Sequence, residues 1–183
     1  MKTVVVYYSG YGHTKAIAEE VAKGAQAALV AINAEGLIEE SEWALLDEAD
    51  AIILGSPTYM GNVSWQFKRF ADDTSKRWFT RAWDGKVFGG FSISASLNGD
   101  KQVTLIFLQT LASQHGGIWV SLGLAPANSS TSSRKDLNAL GASVGLLAQC
   151  DGDLGADAIP EGDLKSAKFY GERVLQFASK LRG

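Results

Sequence analysis

The chain has 183 residues, 46% of them hydrophobic and 20% charged, which is ordinary globular composition and excludes a function resting on disorder or low complexity. A net charge of -3 with no polybasic run argues against a nucleic-acid reader and against a binder of anionic membranes. One cysteine (Cys150) and two histidines (His13, His115) leave no intrachain disulfide and too few ligands for a structural zinc site.

The apolar start, residues 4–8, is too short for a leader segment, and no 18-residue apolar run exists. The expectation is one domain over residues 1–183, cytoplasmic and not stably inserted in a membrane. Residues 2–8 are β-branched and apolar and end at Ser9-Gly10, the pattern of a strand buried on both faces. A helix is predicted over 14–24, with Ile17, Val21 and Ala25 on its apolar side and Gly24 near its end. Residues 28–33 read as a weaker strand and 39–48 as a short acidic helix. Residues 51–55 form a third apolar run that ends at Ser56-Pro57. The residue before a proline is pushed away from helix, so the chain leaves this strand extended. Val63, Phe67, Phe70 and Ala71 make a helical stripe. Residues 87–94 read as a strand, and 102–115 as a helix that is apolar almost all round. Residues 118–122 read as the last strand, and 162–181 as the closing helix. Strands alternating with helices predict a parallel sheet with helices on both faces. The stretch 125–143, rich in Asn, Ser, Thr and Gly, is long enough to mark a functional or disordered loop after the fifth strand.

In an open sheet of this kind ligands bind beyond the carboxyl ends of the strands, where strand order reverses. Three segments there are small, polar or glycine-rich: Ser9, Gly10, Tyr11, Gly12, His13 and Thr14; Ser56, Pro57, Thr58, Tyr59, Met60 and Gly61; and Ser94, Ala95, Ser96, Leu97, Asn98 and Gly99. The first leads from a strand into a helix start, where backbone amides and hydroxyls favour a phosphate. It lacks the Gly-Lys-Ser/Thr ending of a Walker A loop, and Lys15 stands where a dinucleotide fingerprint needs its third glycine. What remains is a monophosphate cradle, or else a tight turn with Thr14 as N-cap. Pro57, Thr58 and Tyr59 offer a stiff backbone and an aromatic face, and amides over 94–99 suit a flat ring with several carbonyls. A phosphate at one loop and a planar polar ring at the other two describe flavin mononucleotide (FMN).

Tyr8 to Thr14, Gly55 to Asn62 and the sequence Gln114-His115-Gly116-Gly117 resemble the flavodoxin-like NAD(P)H:quinone oxidoreductases. More narrowly they resemble the branch once named tryptophan-repressor-binding protein. The resemblance covers nearly the whole chain, including Trp78 after the third helix and Gly171-Glu172 in the last. It implies a three-layer α/β sandwich with five parallel strands in the order 2-1-3-4-5. It implies FMN phosphate on Ser9 to Thr14, the flavin ring along Pro57 to Gly61 and its polar edge on Ser94 to Gly99. It also implies flavin contact by His115 and substrate flanked by Tyr11 and Trp78, with His115 or Tyr11 able to assist proton delivery. The third loop departs from the family's paired glycines, notably at Ala95 and Leu97.

The favoured activity is transfer of two electrons from NAD(P)H, as co-substrate, through FMN to a quinone-like acceptor, by a homodimer or homotetramer whose Trp78 faces a neighbouring subunit. The alternative is a flavodoxin-type electron carrier, against which the modest net charge speaks. A third reading keeps the fold without the cofactor, as a binding module. His115 could equally end a helix. Trp43, Trp65, Trp83 and Trp119 read as packing, Cys150 as incidental, and the stretch 151–157 as a solvated acidic turn.

Overall fold

A computed structural model describes residues 1–182. Its elements run β1 (Thr3–Tyr7), α1 (His13–Ala25), β2 (Ala28–Ala31), α2 (Glu40–Glu48), β3 (Ala51–Tyr59), β4 (Asn62–Val63), α3 (Trp65–Asp73), α4 (Ser75–Phe79), β5 (Val87–Ser94), α5 (Lys101–Gln114), β6 (Ile118–Trp119), β7 (Leu146–Gln149) and α6 (Glu161–Arg182). The sheet order is β2-β1-β3-β5-β6, with β7 also on β5 and β4 folded back on β3. Counting β6 and β7 as one position gives the expected flavodoxin-like order 2-1-3-4-5, all parallel.

The two faces of the sheet make two cores. On one, Val5, Tyr7, Ile53 and Phe91 pack against Ile17 and Val21 of α1 and against Tyr170 and Val174 of α6. On the other, Val4, Val6, Ile52 and Leu54 pack against Phe67, Phe70, Leu105 and Leu108. A strand buried on both faces carries apolar residues without alternation, which is why β1 and β3 read as continuous runs. Helices α1 and α6 meet closely because Gly24 and Gly171 lie against each other's backbones, where any Cβ would collide.

Three expectations need correcting. The segment 56–61 is not a loop. β3 continues through Ser56, Pro57, Thr58 and Tyr59, then turns on Met60 (φ 47°) and Gly61 (φ 78°) into β4. Two positive φ values mark the turn that suits the twist of a tight hairpin. β1 pairs β3 only as far as Gly55, so past that point one flank of β3 has no partner strand and a proline is tolerated. Secondly, 118–122 is only the first half of the fifth strand position. β6 pairs Val87 and Phe88, while β7 pairs Phe91 to Ser94. Between them, the Tyr170 hydroxyl accepts the Gly90 N–H (3.0 Å) and donates to the Val120 carbonyl (2.7 Å), which satisfies the interrupted ladder. Thirdly, 125–143 lies within this strand position rather than after it. It is held down by Asn138, 5% exposed, whose side-chain amide donates to Leu124 and Ala142 carbonyls and accepts the Ala142 N–H. Arg134 pairs with the buried Asp163 of α6 (2.6 Å). None of its residues lines the cleft described below.

Candidate functional site

At the carboxyl edge of the sheet, Tyr11, His13 and Thr14 face Pro57, Thr58 and Tyr59 across a cleft of about 220 Å³ that Ile93, Ser94 and Ala95 close from the side. The cleft opens where β1 ends and β3 runs on.

The first wall is a helix N-terminus. Gly12 precedes α1 with φ 91°, a conformation that favours glycine. The Ser9 hydroxyl oxygen accepts the N–H groups of Gly12 and Lys15, both at 3.1 Å, so Ser9 rather than Thr14 caps the turn. The N–H groups of Gly10, Tyr11, His13 and Thr14 meet no protein acceptor among the described residues. The Thr14 side chain is buried, lines the cleft and has no protein partner there either. Four free amides and a hydroxyl at the positive end of a helix form a donor set fitted to a phosphate.

The second wall is aromatic. Tyr59, on the last residue of β3, meets Tyr11 edge to face at 6.2 Å between ring centroids. Burial pushes its phenol up to about 12, so it stays protonated at neutral pH. Tyr11 is 81% exposed and Met60 fully exposed, which leaves this side open to solvent. Thr58 does not offer its hydroxyl to the cleft. That oxygen is hydrogen-bonded to Ser92 and Thr104, both at 2.8 Å, inside the core, leaving only backbone and methyl for a ligand.

The third wall is pinned from behind by a group with no obvious sequence signature. Lys101, the first residue of α5 and fully buried, donates to Ser94 Oγ (2.9 Å), Ser96 carbonyl (2.7 Å) and Leu97 carbonyl (3.0 Å). Burial lowers its amine to about 8. Ser94 and Ala95 line the cleft, whereas Ser96, Leu97, Asn98 and Gly99 continue the rim beyond it.

A fourth segment completes the site. Cys150 and Gly152, just after β7, line the cleft. The His13 Nε2–H donates to the Leu154 carbonyl (2.9 Å), joining the first loop to this turn. The Cys150 thiol is held protonated, since burial and the neighbouring carboxylates Asp151, Asp157 and Asp153 raise its pKa. A loop after every strand on this side of the sheet could have been expected to contribute. The sequence does not announce this one, because β7 is four residues whose place is set by its pairing with β5.

His115 and Trp78 are not in the cleft. His115 caps the far end of α5, about 21 Å along the helix from Lys101. The Thr74 hydroxyl donates to the Ala71 carbonyl (2.6 Å), so the His115 Nε2–H donates to Thr74 (2.9 Å) and the ring is the Nε2 tautomer. Its Nδ1 is buried without a partner and its ring lies 4.7 Å from that of Trp83. Burial, with Arg81 adding to it, lowers its pKa. Within its own chain His115 packs against Thr74 and Trp83 and does not reach the cleft. Trp78, on α4 at the same end, is 47% exposed and can flank a ligand only in another copy's cleft.

The fold is flavodoxin-like, and the cleft sits at its strand-order switch point. The family described as NADPH-dependent FMN reductase matches residues 42–130. Flavodoxin FldP of Pseudomonas aeruginosa is 64% identical over 180 residues, 98% of each chain. An NAD(P)H dehydrogenase (quinone) of Chromohalobacter salexigens is 31% identical, covering 100% of this chain and 99% of that one. Among solved structures, the WrbA-like flavodoxin of Agrobacterium tumefaciens is 51% identical with a TM-score of 0.82 over 98% of both chains. The chain belongs to the WrbA-like flavodoxin family, a family of FMN-binding proteins. Among the described residues no helix is long and apolar enough to cross a membrane.

Proposed function

We propose that the chain holds FMN in this cleft and works as a flavodoxin-type electron carrier. FMN, when bound, supplies the redox chemistry. The Gly10, Tyr11, His13 and Thr14 amides and the Thr14 hydroxyl hold the phosphate. Tyr59 and Tyr11 flank the ring, and the loop from Ser94 to Gly99 meets its polar edge. The observation that carries the carrier reading is the open side of the cleft. Tyr11 and Met60 are solvent-exposed, and the two residues that would wall a substrate compartment, Trp78 and His115, sit at the opposite end of the sheet. An exposed ring edge suits electron exchange with a docked redox partner. The net charge of -3 conceals a local imbalance that also suits docking: Asp151, Asp153 and Asp157 are exposed beside the cleft. FldP, 64% identical, is itself named a flavodoxin.

The second reading is the NAD(P)H:quinone oxidoreductase, with NAD(P)H as co-substrate and a quinone-like acceptor. It is favoured by the exposure of Trp78 (47%) and Phe79 (82%), which a homodimer or homotetramer could bring over a neighbour's cleft. Relatives at 31–33% identity carry the quinone dehydrogenase name.

The two readings separate on NADPH and NADH oxidation by the purified, FMN-loaded chain with benzoquinone, with mass measured by light scattering. The carrier reading predicts negligible oxidation by the chain alone and rapid flavin reduction once an NADPH-dependent flavoprotein reductase is added. Fast benzoquinone reduction by the chain alone, as an oligomer, overturns it in favour of the enzyme.

A further inference from the structure

Lys101 stands out as a buried ammonium without a carboxylate. It is fully buried, and no Asp or Glu among the described residues comes within ion-pair distance of it. It also occupies the first position of α5, where a cation runs against the helix dipole. A charge placed so unfavourably lowers stability unless its hydrogen bonds compensate. All three of its bonds go to one short segment, at Ser94, Ser96 and Leu97.

Neighbouring bonds act in the same sense. The Ser94 carbonyl accepts the Cys150 N–H (3.3 Å), and the Ala95 carbonyl accepts the Gln149 side-chain amide (2.8 Å). The carbonyls of Ser94, Ala95, Ser96 and Leu97 are thus all turned into the protein. A trans peptide is planar, with its N–H opposite its C=O. Turning in the Ala95, Ser96 and Leu97 carbonyls therefore turns the Ser96, Leu97 and Asn98 amides outward. The result is a row of donors along the rim, where a ring with several carbonyl oxygens would lie.

We propose that Lys101 is a positioning residue that sets the flavin-ring loop, turning its amides out as hydrogen-bond donors for the ring's carbonyl edge. The proposal rests on the reading of this cleft as an FMN site and adds the residue that builds its ring-binding wall. A charged amine has three N–H donors and satisfies all three acceptors. A neutral one has two and must release one. With an amine lowered to about 8, ring affinity should therefore fall as pH rises through that range. The groups facing Lys101 are Asp163 of α6, whose carboxylate favours the ammonium, and Arg134 of the inserted segment, which disfavours it. Asp100 precedes it on the rim. An alkaline limb in this range belongs to Lys101 or to the nearby Cys150 thiol. A lysine variant separates those two.

The experiment compares wild type with Lys101→Met, using apoprotein titrated with riboflavin and with FMN by quenching of flavin fluorescence, across neutral to alkaline pH, with thermal unfolding of each apoprotein. Riboflavin lacks the phosphate and reports on the ring wall alone. The expected result is about tenfold weaker binding of both flavins by Lys101→Met near neutral pH. Wild-type affinity should fall above about pH 8 while the variant's profile is flat. The thermal midpoint of the variant should be unchanged or higher, because a buried unpaired charge has been removed. A role in stability alone predicts the reverse: a lower midpoint with flavin affinity intact. Unchanged riboflavin affinity in a folded variant overturns the proposal while leaving the FMN site standing. Wild type that binds neither flavin overturns both the site and the proposal.

Discussion

The two ends of the sheet are built in opposite ways. At the carboxyl end the turn into α1 leaves the backbone amides of Gly10, Tyr11, His13 and Thr14 without protein partners. At the amino end the connections close over an aromatic cluster. Trp43 stacks on Phe70 at 5.2 Å and on Arg77 at 4.2 Å, Trp83 donates to Asp47 at 2.7 Å, and His115 lies against Trp83. One end leaves backbone amides free for a ligand, and the other is filled by packed aromatic rings. His115 and Trp78 both lie at the closed end, away from their own chain's cleft. Substitutions at the two ends should therefore divide cleanly between stability and cofactor affinity.

The largest expected effect is at the closed end. Trp83→Ala empties a fully buried site and strips Asp47 of its indole donor, and should destabilise the protein by about 3–5 kcal/mol in denaturant unfolding. The folded fraction should still bind FMN with wild-type affinity. At the open end Thr14→Ala should do the converse, weakening FMN by about 1–3 kcal/mol in apoprotein titrations with little change in unfolding. Riboflavin affinity should not move, since the lost hydroxyl faces the phosphate. His115→Phe tests the division through pH. The folded His115 has a lowered pKa, so below about 6.5 the unfolded chain binds more protons than the folded one and wild-type stability falls with falling pH. The variant should lack this part of the acid dependence and keep its FMN affinity. The smallest effect belongs to Trp78→Ala. As an exposed residue remote from its own cleft it should shift stability and FMN affinity by less than about 0.5 kcal/mol. A marked loss of FMN or of quinone reduction would show that a second copy brings this end over the cleft, and would blur the contrast between the ends.

The sequence carries the fold more fully than the site. β1, β3 and β5 are legible because burial on both faces leaves unbroken apolar runs, and α1 and α6 because each shows a one-sided stripe. β7 is four residues following Gly145, with no flank that marks it, and its pairing is set by β5 rather than by its own pattern. The hairpin at Met60-Gly61 was obscured by Pro57, which normally argues against a strand interior. In the site, the first loop is legible from its glycines and hydroxyls. That the Thr58 hydroxyl turns away from the cleft is visible only in the packing, where Ser92 and Thr104 take it. The packing of His115 within its own chain is not legible, because its neighbours Thr74 and Trp83 come from other parts of the chain. Lys101 is not legible, since it precedes the helix predicted over 102–115 and lysine ordinarily means solvent.

The open end should hold one FMN through the turn of Ser9 to Thr14. The most direct measurement is a calorimetric titration of the apoprotein with FMN and, separately, with riboflavin. One FMN per chain, bound much more tightly than riboflavin, is the result expected of a cleft whose free amides and Thr14 hydroxyl await a phosphate. Absence of saturable FMN binding, or equal affinity for the two flavins, would contradict it.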